Sequence, residues 1–146
     1  MIKTYRGLLA DGAQERIKLQ TSAGKVGYRV VKFQIMSDTP YDANAAEHIV
    51  KIYNSQQTTI DAVVNFTDSD LLGVAIINNN TSGYNYPSVP TIIFDTEVFN
   101  QDIYVTHKDV LNAVNCNYYI ELEVIPLASA EAAITTVKAM RGSAVD

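Results

Sequence analysis

The chain has few of the residues on which covalent or catalytic chemistry depends. Its 146 residues include one cysteine, two histidines and no tryptophan. One cysteine cannot form an internal disulfide, and with two histidines it does not complete the four-ligand set of a structural zinc site. Because His48 and His107 lie far from Cys116 in sequence, we interpret Cys116 as a small buried residue rather than a nucleophile. We expect no enzymatic activity, no metal and no cofactor.

Basic residues are also few, and they are scattered. The chain has 11 Lys and Arg against 16 Asp and Glu, for a formal net charge of -5. Binding to nucleic acid by phosphate neutralisation needs a stripe of Lys and Arg, and no such stripe is present. The composition therefore argues against a nucleic-acid partner.

Long apolar runs are missing as well. No stretch approaches the roughly 18 apolar residues that span a bilayer. The N-terminal sequence MIKTYRGLLADG has only one apolar pair and carries Arg6 inside it, which is not a secretory signal. We expect a protein made in a reducing cytoplasm, with no signal peptide and no membrane partner.

Period-two alternation is what the chain has in abundance. Strand-like runs recur about every 8 to 12 residues with turn residues between them, which predicts a single domain, 1–146, folded as an antiparallel β-sandwich of jelly-roll or Greek-key type. In the run 26–36, the alternation predicts that Val31, Phe33 and Ile35 face the core. The nine candidate strands are 3–9, 16–20, 26–36, 48–53, 58–66, 71–77, 91–94, 102–106 and 117–125.

The two ends of the chain each leave two alternatives open. Segment 1–9, basic at Lys3 and Arg6, either extends toward a neighbour or forms an edge strand of its own sandwich. At the other end, a serine that can cap a helix precedes apolar residues at spacings of three and four, which predicts a helix over 129–141 with an apolar stripe. The β-branched run 135–137 favours a final strand instead.

The longest predicted loop, 78–90, is polar but carries two aromatic side chains, Tyr84 and Tyr86. Such tyrosines either pack on their own domain or contact a partner, since loop tyrosines are frequent interface anchors. Together with Lys3 and Arg6, these two tyrosines are the candidate interface residues.

Two acidic groups have conventional explanations. Asp68 and Asp70 lack the glycine and the distal glutamate of a known calcium loop, so we expect an Asx-type turn with solvated carboxylates. Asp95, Glu97 and Asp102 show no sign of the cleft that a catalytic carboxylate pair needs, so we expect solvated turn charges.

Three segments carry a resemblance to a known class of proteins: KIYNSQQTTIDAVVNF, IIFDTEVFNQDIYVTHKD and CNYYIELEVI. Over most of the chain, from residue 7 to residue 141, the sequence resembles small virion structural proteins of tailed phages of marine bacteria. That resemblance implies a capsid-associated β-domain without catalytic residues, such as a capsid decoration (auxiliary) protein or a component of a head fibre or spike.

From this resemblance we expect a non-enzymatic structural protein of a bacteriophage virion, made in the host cytoplasm. It is expected to dock on the major capsid protein, or on other virion proteins, and to form a homo-oligomer, with a trimer as the guess. The alternative is a glycan-binding module of a tail, spike or head fibre, in which Tyr84 and Tyr86 stack on a sugar.

Overall fold

Eight antiparallel strands and one C-terminal helix make up the described part of the chain. The structure is a computed structural model that describes residues 1–40, 45–79 and 89–145, of which residues 79 and 139–145 by their backbone alone. The elements are β1 (Ile2–Leu9), β2 (Gln14–Ile17), β3 (Val26–Ser37), β4 (Ala46–Tyr53), β5 (Leu71–Asn79), β6 (Thr91–Ile93), β7 (Ile103–Asp109), β8 (Cys116–Pro126) and α1 (Ser129–Val145).

The strands form two sheets, one with the order β1-β8-β3 and one with the order β2-β7-β4-β5-β6. The pairs β1 with β8, β2 with β7 and β4 with β5 are those of a long hairpin rolled into a jelly roll, and β6 also packs against β3. The predicted antiparallel β-sandwich with a short C-terminal helix is confirmed.

Strand alternation sets the core, with one interruption in β3. On β8, Tyr118, Ile120 and Leu122 are buried while the residues between them are partly exposed. On β3, Phe33 and Ile35 face the core as predicted, but Val31 does not. A β-bulge between Val30 and Lys32 shifts the phase by one residue, so Val30 is buried in place of Val31.

Segment 58–66 is not the strand that its composition predicts. In the structure it has no regular secondary structure and crosses the five-stranded sheet on the side that points away from the core. The buried ammonium of Lys51, on β4, donates to Asp61 Oδ1 at 3.2 Å and to the carbonyl oxygen of Val63 at 2.7 Å. The Lys51 side chain therefore occupies a carbonyl that a sheet ladder would use. The apolar run of β5 is buried on both faces, as its composition predicts.

The C-terminal segment is a helix rather than a strand, and α1 continues to Val145. Its predicted apolar stripe is wrong, because Ile134 and Val137 are exposed and Ala132 is the buried contact. Asn100 holds the helix by donating from Nδ2 to Thr136 Oγ1 at 2.7 Å and to the carbonyl oxygen of Ala132 at 3.3 Å. In the described residues, no helix is both long enough and apolar enough to span a membrane.

Asp102 is a buried anchor rather than the solvated turn charge that the sequence predicts. Its carboxylate accepts hydrogen bonds from the backbone N–H groups of Leu19 and Gln20, at 2.8 and 2.9 Å, and forms an ion pair with Arg16. Burial by itself raises the pKa of Asp102, but these N–H donors and the Arg16 guanidinium outweigh it and hold the pKa below its usual value. The interaction ties the end of β2 to β7.

Replacing Asp102 should destabilise the fold in a pH-dependent way. We expect Asp102→Asn to lower the free energy of unfolding at pH 7 by about 1 to 3 kcal/mol, because the N–H donors lose a charged acceptor. Since folding lowers this pKa, the contribution is complete above the unfolded-state value of 3.8 and is lost as the pH falls through the folded-state value. The difference in unfolding free energy between the parent and Asp102→Asn should therefore shrink in acid. Urea unfolding of both proteins at pH 7 and at acid pH measures it.

The matched control is Asp95→Asn, which changes an exposed carboxylate in the same part of the chain. This control should stay within about 0.5 kcal/mol of the parent at neutral pH. Equal effects of the two substitutions would show that Asp102 is not an anchor.

Candidate functional site

Three buried side chains, those of His48, His107 and Cys116, meet at one end of the sandwich interior. His48 lies on β4 and His107 on β7 in one sheet, and Cys116 lies on β8 in the other sheet. One ligand atom of each residue, a ring nitrogen or the sulfur, lies within 4.8 Å of the other two. The residues are far apart in sequence, but the fold joins them, which overturns the sequence-based argument that nothing connects them. We call these three residues the His–Cys cluster.

The hydrogen bonds of the cluster define the protonation of both rings. His107 Nδ1 lies 3.0 Å from the carbonyl oxygen of Ala10, which only accepts, so Nδ1 carries the proton. Nε2 of His107 is then an acceptor, and His48 Nδ1 donates to it at 2.9 Å. His48 Nε2 is left with a bare lone pair, fully buried and without a hydrogen-bond partner. Burial lowers the pKa of both histidines, which favours these neutral rings.

The cluster lies beside a carboxylate that closes this end of the sandwich. Asp109 accepts hydrogen bonds from the backbone N–H groups of Glu47 and Leu111, both at 3.0 Å, and of Val114 at 2.8 Å. Burial by itself raises the pKa of Asp109, but these donors hold it below its usual value. The carboxylate therefore links the backbone of β4 to the segment that follows β7.

Cys116 has the environment of an inert thiol. Its sulfur lies 3.6 Å from the carbonyl oxygen of Met36 and 3.5 Å from that of Asn117. Burial raises the pKa of the Cys116 thiol to about 12. A buried thiol of this kind is a poor nucleophile.

A second candidate site is the exposed outer surface of the three-stranded sheet, which we call the outer face. Strand register brings Leu8, Asn117 and Met36 into one row, with Leu8 and Met36 53% and 60% exposed. The residues of the three central rows are Thr4, Arg6, Leu8, Lys32, Gln34, Met36, Asn117, Tyr119 and Glu121. Two large apolar side chains thus lie beside a row that contains an arginine and a tyrosine.

A groove of about 1040 Å³ runs from the outer face toward the edge strand of the other sheet. Its lining includes Arg6, Gln34 and Tyr119 of the outer face, and Val89 and Thr91 at the start of β6. Tyr119 donates its hydroxyl to Glu121 Oε2 at 2.8 Å, which holds the tyrosine side chain in place. The groove combines an aromatic ring with polar side chains that can hydrogen-bond a ligand.

The structure separates the predicted interface residues. Arg6 lies on the outer face and lines the groove, whereas Lys3 lies on the opposite face of β1, with Nζ 5.9 Å from the ring centroid of Tyr28. Segment 1–9 forms an edge strand, since β1 pairs with β8 along its whole length. Tyr84 and Tyr86 lie outside the described residues.

The acidic pair at Asp68 and Asp70 forms an Asx turn, in which Asp68 Oδ1 accepts from the backbone N–H of Asp70 at 2.9 Å. The expectation of solvated carboxylates is wrong for Asp70. That side chain is buried and accepts from Ser55 Oγ at 2.6 Å. The pair therefore stabilises the turn before β5.

We predict that Cys116 resists thiol reagents in the folded protein. Its reaction should be slower than in urea by about 1,000-fold or more, because only the opened protein reacts and opening costs about 5 kcal/mol or more. The measurement is the rate of labelling with a chromogenic disulfide reagent, folded and unfolded. A Cys116→Ser, Asn117→Cys variant is the control, since residue 117 is exposed and should react rapidly. Comparable rates for the parent and the control would contradict the burial of Cys116.

Comparison with known proteins assigns this chain to no family. No protein-family model matches it, and a search of curated proteins finds no significant match.

Proposed function

We propose that this protein is a non-enzymatic virion structural protein, a capsid decoration protein that docks on the major capsid protein through the outer face. The observation that carries the proposal is that the large apolar side chains of Leu8 and Met36 are exposed in the same row of the outer face. The jelly-roll strand order is compatible with it, since viral capsid and lectin domains use this architecture. That compatibility is an analogy between folds.

The two sheets differ in how their outer surfaces are covered. Segment 58–66 crosses the five-stranded sheet, where Asp61 and the carbonyl of Val63 accept hydrogen bonds from the buried ammonium of Lys51. In the described part of the chain, the outer face has no comparable cover, and Leu8, Gln34 and Met36 are all exposed. A surface with exposed apolar, aromatic and arginine side chains has the composition of a protein interface.

The charges of the outer face favour an acidic partner. Arg29 is neutralised within the sheet by Glu123, with a hydrogen bond of 2.7 Å from Nε. Among the described residues, neither Arg6 nor Lys32 takes part in an ion pair. Against the carboxylate of Glu121, these two cations leave the outer face with a net positive charge, which can attract carboxylates of a docking surface and steer the encounter.

The proposal includes self-association, with a trimer at a threefold position of the capsid as the working hypothesis. Closed symmetry is the usual form of soluble homo-oligomers. Sedimentation velocity of the purified chain measures this state directly.

The first test is the copy number of the protein in purified particles of the virus that encodes it. Quantitative mass spectrometry should find it in numbers comparable to the major capsid protein. A few copies per particle would relocate it to the tail or to one vertex. Complete absence from the particles would overturn the proposal.

The second test asks whether the outer face mediates docking. We expect a Leu8→Glu, Met36→Glu variant to bind particles at least about 30-fold more weakly, since losing a central interface contact costs about 2 kcal/mol or more. The matched control is Ile134→Glu, which alters an exposed residue of α1 that is 70% accessible. All three proteins should have the same melting temperature. Equal binding by parent and outer-face variant would show that another surface docks.

The groove favours a second candidate function, a glycan-binding module of a tail, spike or head fibre. Tyr119 offers a ring on which a sugar can stack, and Arg6 and Gln34 offer hydrogen-bond donors. The test is a glycan array with the parent and with Tyr119→Ala. A sugar bound only by the parent, together with a low copy number, would favour this function over capsid decoration.

A further inference from the structure

We propose that the His–Cys cluster binds one transition-metal ion of the d10 type, Cu⁺ in preference to Zn²⁺, which links the two sheets from inside. This inference is independent of the proposed function, because it concerns the interior of the sandwich. It starts from the convergence of His48, His107 and Cys116, which are the only histidines and the only cysteine of the chain.

The spacing of the ligand atoms suits a shared ion after the two nitrogens separate slightly and the sulfur approaches them by up to about 1.2 Å. The ligand atoms of the three residues lie within 4.8 Å of one another. Imidazole nitrogens bind such ions at about 2.0 to 2.1 Å and thiolate sulfur at about 2.3 Å, which puts neighbouring nitrogens about 3.3 Å apart in a tetrahedral arrangement. Nδ1 of His48 and Nε2 of His107 are 2.9 Å apart, so they need to separate by only a few tenths of an ångström.

An unpartnered lone pair shows that the histidine pair is incompletely satisfied in the absence of an ion. His48 Nε2 is buried and has no hydrogen-bond partner. A buried polar atom of this kind is costly, and native structures rarely leave one without a water, an ion or a protein partner. The two rings have one lone pair each, and only that of His107 is occupied, by the N–H of His48. An ion between Nδ1 of His48 and Nε2 of His107 replaces this hydrogen bond. The proton of His48 Nδ1 then moves to Nε2 of the same ring, so both rings stay neutral.

The hydrogen bond to Ala10 is the kind that orients a metal-binding histidine. His107 Nδ1 donates to this backbone carbonyl at 3.0 Å, which fixes the tautomer and leaves Nε2 facing His48. Histidine ligands in metal sites commonly donate their second ring N–H to a carbonyl or carboxylate in this way. His107 is therefore already in the ligand tautomer.

The ligand set determines which class of ion fits. One thiolate and two imidazoles favour soft or borderline ions such as Cu⁺ and Zn²⁺ and disfavour Mg²⁺ and Ca²⁺, which need several oxygen ligands. The Cys116 S–H bond loses its proton to solvent as the sulfur–metal bond forms. With Cu⁺ the resulting site is neutral, whereas Zn²⁺ leaves one positive charge in the interior, where uncompensated charge is costly. Asp109 does not cancel that charge readily, because three backbone N–H groups already hold its carboxylate.

The test is metal binding by the full-length chain under anaerobic, reducing conditions, with Cu⁺ and Zn²⁺ in separate samples. Each ion is supplied to folded protein and also during refolding from urea, so that slow entry into the core does not hide binding. Three quantities are measured after desalting: the metal content per chain, the thiolate-to-metal charge-transfer absorption and the melting temperature. Because the chain has one cysteine, any such absorption reports Cys116.

Two variants separate the cluster from nonspecific binding. Cys116→Ser removes the sulfur at nearly constant volume. Mutation of a residue that only hydrogen-bonds a metal ligand typically lowers metal affinity 10- to 100-fold, so loss of the ligand itself should weaken binding by about 100-fold or more. Thr106→Val is the matched control, because it replaces a buried hydroxyl next to His107 that has no hydrogen-bond partner and leaves all three ligands intact.

In the parent and in Thr106→Val, we expect one Cu⁺ per chain, a charge-transfer band and a raised melting temperature. Both proteins should bind Zn²⁺ more weakly than Cu⁺. Cys116→Ser should show none of these signals. Ligand binding to the folded state alone raises the melting temperature with ligand concentration. Tighter binding of Zn²⁺ than of Cu⁺ would overturn the choice of ion. Metal content that persists in Cys116→Ser, or no binding by the refolded parent, would overturn the site itself and leave the two histidines as a hydrogen-bonded core pair.

Discussion

Burial of one face of β8 is the constraint on which the three-stranded sheet depends. Ile120 and Leu122 are completely buried at the centre of the sandwich, and both neighbouring strands pair with β8 on either side. A slip of one residue would bring the polar residues of β8 into the core, so the register is strongly specified. The same register decides what points outward, and it is the reason that Leu8 and Met36 flank Asn117 on the outer face.

The interior also contains polar groups that local interactions satisfy unequally. Asp102 and Asp109 are buried carboxylates, and each collects several backbone N–H donors, so each ties a loop to the sheet. The histidine pair is different, because its chain of hydrogen bonds ends at a ring nitrogen without a partner. The unpartnered nitrogen costs free energy, so the histidine pair is less completely satisfied than the two carboxylates.

The surface and the interior thus contain two separate candidate sites, the outer face and the His–Cys cluster. The outer face exposes Leu8 and Met36, and among the described residues its Arg6 and Lys32 take part in no ion pair. The His–Cys cluster is enclosed by both sheets and is suited to an ion rather than a macromolecule. Neither site depends on the other, since they lie on opposite sides of β8, where side chains alternate between core and solvent.

The sequence by itself determined the fold class and most of the strands, because alternation over runs such as 117–125 and 71–77 reflects burial directly. It also predicted the C-terminal helix, but not the face that this helix buries, which depends on the position of Asn100 in another loop. The bulge at Val31 and the irregular path of 58–66 required the tertiary structure, since cross-strand pairing and the Lys51 ammonium compete with local propensity there. Alternation can place His48 and Cys116 on inward faces. Only the strand order brings them together with His107, because contacts between strands distant in sequence depend on topology and not on any local pattern.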